Sequence, residues 1–169
     1  MGACFAARMT QDIELRRFRP DDKDWLVRQH STLYARDEGF DDSFGALVDD
    51  ILTDFLAHHD PACEAGWIAA QGEERLGSIF CVRLDEYTAK LRVFLLLPKA
   101  RGTGLGTRML HTCMQFARDA GYRGMRLWTH ESHKAAGVLY QRNGWSLDSA
   151  TPVHSFGRDN VEQNWSIRF

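Results

Sequence analysis

Several features that would place a chain in a specialised class are missing from this sequence. No apolar run approaches the roughly 20 residues that span a bilayer, and the longest, Val93 to Leu97, is only strand-sized. There is no excess of either charge: a net charge of -2 and a pI near 6.4 give no electrostatic case for nucleic acid. The four cysteines (Cys4, Cys63, Cys81, Cys113) are scattered, without a CxxC pair or a cysteine-histidine spacing. That excludes a disulfide framework and a zinc site and predicts reduced thiols in a cytoplasmic protein, with Cys81 and Cys113 in apolar surroundings. The seven histidines show no metal-ligand spacing, and His58 and His59 are adjacent, so their side chains diverge on a helix. The chain contains no repeat, no low-complexity segment and no linker that would divide it.

Met1 to Met9 lacks the basic start and apolar core of a signal peptide. Residues 1–11 are expected to be a disordered extension, with Met9 an alternative start, and 12–169 to form one domain. A composition 44% hydrophobic and 26% charged fits a soluble globular protein rather than a disordered one.

What is present is patterned. Ile13 and Leu15 alternate with polar neighbours, which predicts a strand over Asp12 to Arg19. Pro20-Asp21 predicts a helix start with Asp21 as its cap, and Leu26, His30, Leu33 and Tyr34 follow helical spacing. Ser43 is expected to cap a second helix, whose stripe runs Phe44, Leu47, Val48, Ile51, Leu52, Phe55 and Leu56. Strands are predicted over Trp67 to Ala70, Gly77 to Leu84 and Ala89 to Leu97, joined by turn residues as an antiparallel meander. A glycine-rich turn then opens a helix to about Ala120. Met125 to Thr129 is a strand, Lys134 to Arg142 a short helix, and strands begin at Trp145 and Val161. The five tryptophans, Trp128 and Trp165 among them, are expected as packing residues. The order predicts an α/β fold with a mostly antiparallel sheet.

The segment Leu95-Leu-Leu-Pro-Lys-Ala-Arg-Gly-Thr-Gly-Leu-Gly-Thr107 carries the chemistry. Glycines let a backbone approach a ligand, and a helix start offers unpaired N–H groups and partial positive charge. Together they suit a pyrophosphate, with Arg101 and Thr107 adding charge and a hydroxyl. Alone, such a run also fits a flexible turn. No Gly-Lys-Ser/Thr follows it, which excludes a Walker A loop, and neither the glycine spacing nor the element order fits a dinucleotide fold.

Arg101-x-x-Gly104-x-Gly106, after an apolar strand and Pro98, resembles the coenzyme A pyrophosphate motif of the GNAT superfamily of acyltransferases. Ala135-Ala-Gly-Val-Leu-Tyr140-Gln-Arg-Asn-Gly-Trp145 resembles that superfamily's second motif, and the element order matches over residues 12 to 169. The resemblance implies a sheet of about seven strands with about four helices. Tyr34 to Phe40, Ala89 to Arg92 and His154 to Gly157 further resemble the acetyltransferase half of bacterial fusions with a MarR-type regulator. The chain has no room for the winged-helix half, so no regulator function is carried over.

The resemblance also implies roles. Arg101, Gly102, Thr103, Gly104, Leu105, Gly106 and Thr107 would hold the pyrophosphate of acetyl-CoA. Phe94, Leu95 and Leu96 would pair with the pantetheine arm, a backbone N–H near Leu96 polarising the acetyl carbonyl. Tyr140 would contact the cofactor and protonate the departing thiolate. His133 stands where relatives carry an asparagine that bonds pantetheine. His130 and Glu131 are the first candidates for the general base, with His154 a further one. Tyr34, Glu38, Phe40 and His154 would border the acceptor, where a segment from Asp37 to Asp54 rich in acids and free of Lys and Arg would attract a cationic amine. The expected activity is direct N-acetylation of a small-molecule, amino-acid or protein amine, with no metal and no covalent intermediate, in a monomer or a homodimer. A non-catalytic acyl-CoA-binding sensor or docking module is the alternative, and a nucleotide-dependent enzyme using the same loop is a more distant one.

Overall fold

The computed structural model describes residues 12–169, so the expected extension over 1–11 lies outside the described residues. The elements in chain order are β1 (Glu14–Arg17), α1 (Lys23–Glu38), α2 (Asp42–His58), β2 (Ala65–Gln71), β3 (Glu74–Arg83) and β4 (Thr88–Leu96). Then come α3 (Leu105–Asp119), β5 (Gly124–His130), α4 (Lys134–Arg142), β6 (Ser146–Ser155) and β7 (Arg158–Arg168), with short 3-10 turns at Pro20–Asp22 and Pro98–Ala100. The seven strands form one sheet in the order β1-β2-β3-β4-β5-β7-β6. Every neighbouring pair is antiparallel except β4 and β5. This is the α/β fold with a mostly antiparallel sheet that the element order predicted, and it has the seven strands and four helices that the resemblance implied.

Each face of the sheet has its own core. On one face α1 and α2 place Leu26, Leu33, Val48, Leu52 and Phe55 over Ile68 and Phe80. On the other, α3 and α4 bury Leu105, Met109, Leu110, Cys113 and Tyr140 against Ile79, Leu91, Met125 and Leu127. Apolar residues three and four apart make these stripes, and burying them stabilises helices whose own propensity is modest. Cys81 and Cys113 are buried, as expected. No described helix is long and apolar enough to cross a membrane.

Three local expectations need correction. Asp21 does not cap α1; the chain first makes a 3-10 turn, and Asp22 occupies the cap position with its carboxylate turned elsewhere. α2 is capped by Asp41, which accepts from the Ser43 N–H at 3.0 Å, so Ser43 lies inside the helix. Asp41 reaches that N–H because its own backbone is extended, as a cap requires. Trp128 is 43% exposed rather than packed.

Asp22 ties β1 to the meander. It is fully buried and accepts from Arg16 Nη1 and Nη2 and from Arg75 Nε, each at 2.8 Å, and from the Arg19 N–H. Burial alone would raise its pKa; the hydrogen bonds from Arg16, Arg75 and Arg19 outweigh burial and hold it at about 2. A depressed carboxylate pKa stabilises the fold above its ordinary value, and the contribution is lost as pH falls. Denaturant unfolding should therefore show Asp22→Ala destabilised by about 3 kcal/mol at neutral pH. The gap between mutant and wild type should narrow as pH falls from about 4 to about 2.

Candidate active site

β4 and β5 pair only over Thr88–Lys90 and Gly124–Arg126; beyond that, the two parallel strands part. A bulge in β4 coincides with the separation. Ser78 of β3 faces Leu95 and Phe80 faces Arg92, so Ile79 alone opposes Val93 and Phe94. Val93 has φ 52°, a conformation that a β-branched residue rarely adopts. The Ser78 hydroxyl donates to the Val93 carbonyl at 2.7 Å and holds the kink. The parted strands border a cleft of about 1000 Å³.

At one end of the cleft β4 runs through Pro98–Ala100 into the glycine turn. Gly102 and Gly104 have φ of 72° and 85°, and a methyl group at either would meet nothing within 4 Å. Glycine serves there for conformation rather than for space. Arg108 makes the first bond of α3, its N–H to the Gly104 carbonyl at 3.1 Å. The N–H groups of Leu105, Gly106 and Thr107 therefore have no intrahelical acceptor, and the positive end of the helix opens on the cleft. Arg101, Gly102, Gly104, Gly106 and Thr107 line it. Two loop side chains turn away: Thr103 donates to the Ala100 carbonyl at 2.7 Å, and Leu105 is buried in the core. The loop fits a pyrophosphate, and the free edge of β4 fits an extended pantetheine-like arm.

Tyr140 reaches the cleft from α4 through a nearly closed aromatic wall, 6.5 Å from Phe94 between ring centres, 5.8 Å from Trp145 and 5.9 Å from Trp165. It is 4% exposed, and burial, then Tyr34 and Cys113, push its pKa well above the usual phenol range. The phenol keeps its proton at neutral pH and is available as a donor.

Another part of the lining is aromatic. Tyr34 stacks between His133, at 4.8 Å, and Phe44, at 4.3 Å. Phe40 is buried against Tyr34, Phe44, His130 and Phe156 and sits behind the cleft wall. Phe156 and Gly157, both with positive φ, form the two-residue tip of the β6–β7 hairpin. That tip docks on the α1–α2 junction. The Asp41 N–H donates to the Phe156 carbonyl at 2.9 Å, and Arg158 donates to the Glu38 carbonyl. Glu38 is buried, its Oε1 3.2 Å from His133 Nε2 without the alignment of a hydrogen bond. Burial lowers the pKa of His133, and burial followed by the nearby His133 lowers that of His130.

The cleft thus gathers Tyr34, Glu38, Phe94, Leu95, Leu96, His130, His133 and Tyr140 with the glycine turn. It does not gather Glu131 or His154. Glu131 is exposed, its N–H bonded to the Val161 carbonyl at 2.9 Å just past the end of β5. His154 is exposed on the hairpin and pairs with Asp159 at 2.8 Å. The acidic segment is largely structural: Asp37 pairs with Arg36, Asp49 with Lys23 and Asp54 with His58, while Asp41 caps a helix. Sequence reasoning gives no site role to four further lining residues, Lys90, Arg92, Trp128 and Glu162. A lysine and an arginine two apart in an otherwise apolar strand was the available signal; Glu162 became visible only through its register opposite His130.

A sequence model described as the acetyltransferase (GNAT) family matches residues 13–145. The chain belongs to this family. It is 30% identical to human N-acetyltransferase 8B over 54% of its own length and 43% of the relative's. It is 26% identical to an uncharacterized N-acetyltransferase of Methanocaldococcus jannaschii over 73% of its length and 46% of that protein's. The chain therefore spans less than half of the curated relatives it matches. An acetyltransferase of Streptococcus agalactiae superposes with a TM-score of 0.76 at 24% identity, covering 94% of this chain and 99% of that one. Salmonella typhimurium yncA, solved with its cofactor acetyl-CoA, superposes at 0.75 with 16% identity, covering 93% and 94%.

The hairpin tip offers a test that separates the two ends of the cleft. A side chain at Gly157 would start 2.7 Å from Asp41 Oδ2 at a φ of 77°. Gly157→Val should lift the tip from the α1–α2 junction. In steady-state kinetics, KM for the acetyl acceptor should rise on the order of tenfold while the acetyl-CoA dissociation constant stays within about twofold.

Proposed function

We propose that the protein is an N-acetyltransferase that moves the acetyl group of acetyl-CoA directly to a primary amine of a small molecule, amino acid or protein. The observation that carries this is the parted β4–β5 pair, with a helix N-terminus at one end of the opening and a buried, protonated Tyr140 beside it. The two curated relatives named as N-acetyltransferases support nitrogen as the acceptor atom. The finer likeness to regulator-fused acetyltransferases rests on the Tyr34–Phe40, Ala89–Arg92 and His154–Gly157 segments alone. Three buried free cysteines fit a reducing, cytoplasmic setting.

The glycine turn and the Leu105–Thr107 N–H groups would hold the pyrophosphate, and the backbone of Phe94 to Leu96 the pantetheine arm. Acetyl-CoA, when bound, supplies an activated thioester. A neutral His130 can take the amine proton, directly or through water, with Glu162 beside it and Glu38 next to His133 in support. The amine nitrogen forms the new C–N bond as the C–S bond breaks, and Tyr140 gives its proton to the departing sulfur. Cys63, Cys81 and Cys113 are buried and none lines the cleft, which supports direct transfer over an acyl-enzyme.

Calorimetric titration with acetyl-CoA, followed by thiol-release assays over a panel of amines, tests this reading. Wild type should bind acetyl-CoA and turn over at least one amine. Tyr140→Phe should lose about 100-fold or more in kcat with acetyl-CoA affinity unchanged. Absence of acetyl-CoA binding by folded protein would overturn the proposal. Binding without turnover of any amine would favour the non-catalytic sensor.

A further inference from the structure

Lys90 and Arg92 lie two residues apart on β4, opposite Val82 and Phe80, so both side chains leave the same face of the sheet. Both line the cleft. Among the described residues neither forms an ion pair. Asp54, the acid that acts on Arg92, is paired with His58 at 3.0 Å, and Glu162 acts on Lys90 only from beyond ion-pair distance. Arg92 Nε is buried without any hydrogen-bond partner. An unsatisfied buried guanidinium nitrogen is costly, and an anion at that position would remove the cost.

Lys90 is held rather than free, its Nζ 3.6 Å from the centre of the Trp128 ring. Burial, then Arg92, lowers its pKa to about 8 against the opposing pull of Glu162, which leaves it mostly cationic at neutral pH. Apolar residues line the same cleft: Leu47 and Ile51 from α2, and Trp128 itself. The negative and neutral proton-accepting groups, Glu162 on β7 and His130 on β5, face each other across those two strands and line the same cleft. Phe94, where the acyl group would lie, is only two residues from Arg92 along β4, with the kink at Val93 between them. That short separation suits an α-amino acid, whose carboxylate and amine share one carbon.

We propose that the acceptor is an α-amino acid with an apolar side chain, its carboxylate held by Arg92 and Lys90 and its α-amine presented beside Phe94. This rests on the acetyltransferase reading and specifies its substrate. The side chain packs on Leu47, Ile51 and Trp128. The same pair of cations disfavours polyamines and lysine side chains flanked by basic residues, because a second positive charge would be driven against Lys90 and Arg92. Glu162 and His130 receive the ammonium end, so the lining carries partners for both charges of a zwitterion.

The test compares thiol release with L-leucine, L-phenylalanine, L-leucinamide and 3-methylbutylamine, using protein whose acetyl-CoA binding has been measured by calorimetry. L-Leucine should exceed both L-leucinamide and 3-methylbutylamine in kcat/KM by on the order of 100-fold. Arg92→Gln should bring L-leucine down to the level of its amide while acetyl-CoA still binds. Lys90→Gln, a milder change on the exposed side of the pair, should lower the same preference partially. Equal use of acid and amide, no turnover of any of the four by protein that binds acetyl-CoA, or an unchanged preference in folded Arg92→Gln would each overturn the assignment. Failure to bind acetyl-CoA would instead remove the acetyltransferase reading, and the acceptor assignment with it.

Discussion

Beyond Lys90 the backbone of β4 has no strand neighbour on its β5 side, and most of what the protein can do follows from that separation. A parallel pair is normally buried and continuous. Here Val93 holds an unfavourable φ, and Ser78 bonds its carbonyl to keep the bulge in place. Strain of this kind, of order 1–3 kcal/mol, persists only where the surroundings over-determine it. Phe80 and Leu95 on one face and Leu91 on the other are buried in the two cores and fix the strand on either side of the kink. The result is a stretch of strand backbone left open inside a packed domain, directly upstream of a helix start.

The separation also divides the cleft into ends of different chemistry. The glycine turn and the first turn of α3 make an anion site from backbone alone. The rest of the lining consists of side chains: an aromatic cluster formed by α1, α2 and the hairpin tip, and a pair of cations on β4, which in our proposal decide selectivity. Because Arg158 and Asp41 fasten the hairpin tip to the end of α1, the aromatic part of the cleft is shaped by contacts far apart in sequence. The glycine turn is built locally and the aromatic cluster is not.

The same distinction explains what could be read from the sequence. The glycine turn, Tyr140 and the amphipathic stripes of α2 and α3 are local patterns, and the structure places them as expected. The caps of α1 and α2 were misassigned because several acids and a serine compete within two or three residues, and only the backbone decides which one is extended. Trp128 looked like a core residue because strand residues usually are, but it lies on the cleft face beside Lys90. Glu131 and Glu162 differ in role because β5 ends at His130, a one-residue matter that no pattern fixes. The acidic segment suggested cation attraction, yet most of its carboxylates are spent on Arg36, Lys23, His58 and a helix cap.

Hydrogen–deuterium exchange with and without acetyl-CoA reads the central feature most directly, because the open edge of β4 and the first turn of α3 both consist of backbone N–H groups. Ligand binding should slow exchange in peptides covering residues 94–96 and 102–107, with the rest of the sheet unchanged. Binding that leaves both segments exchanging at their free rates would contradict the account.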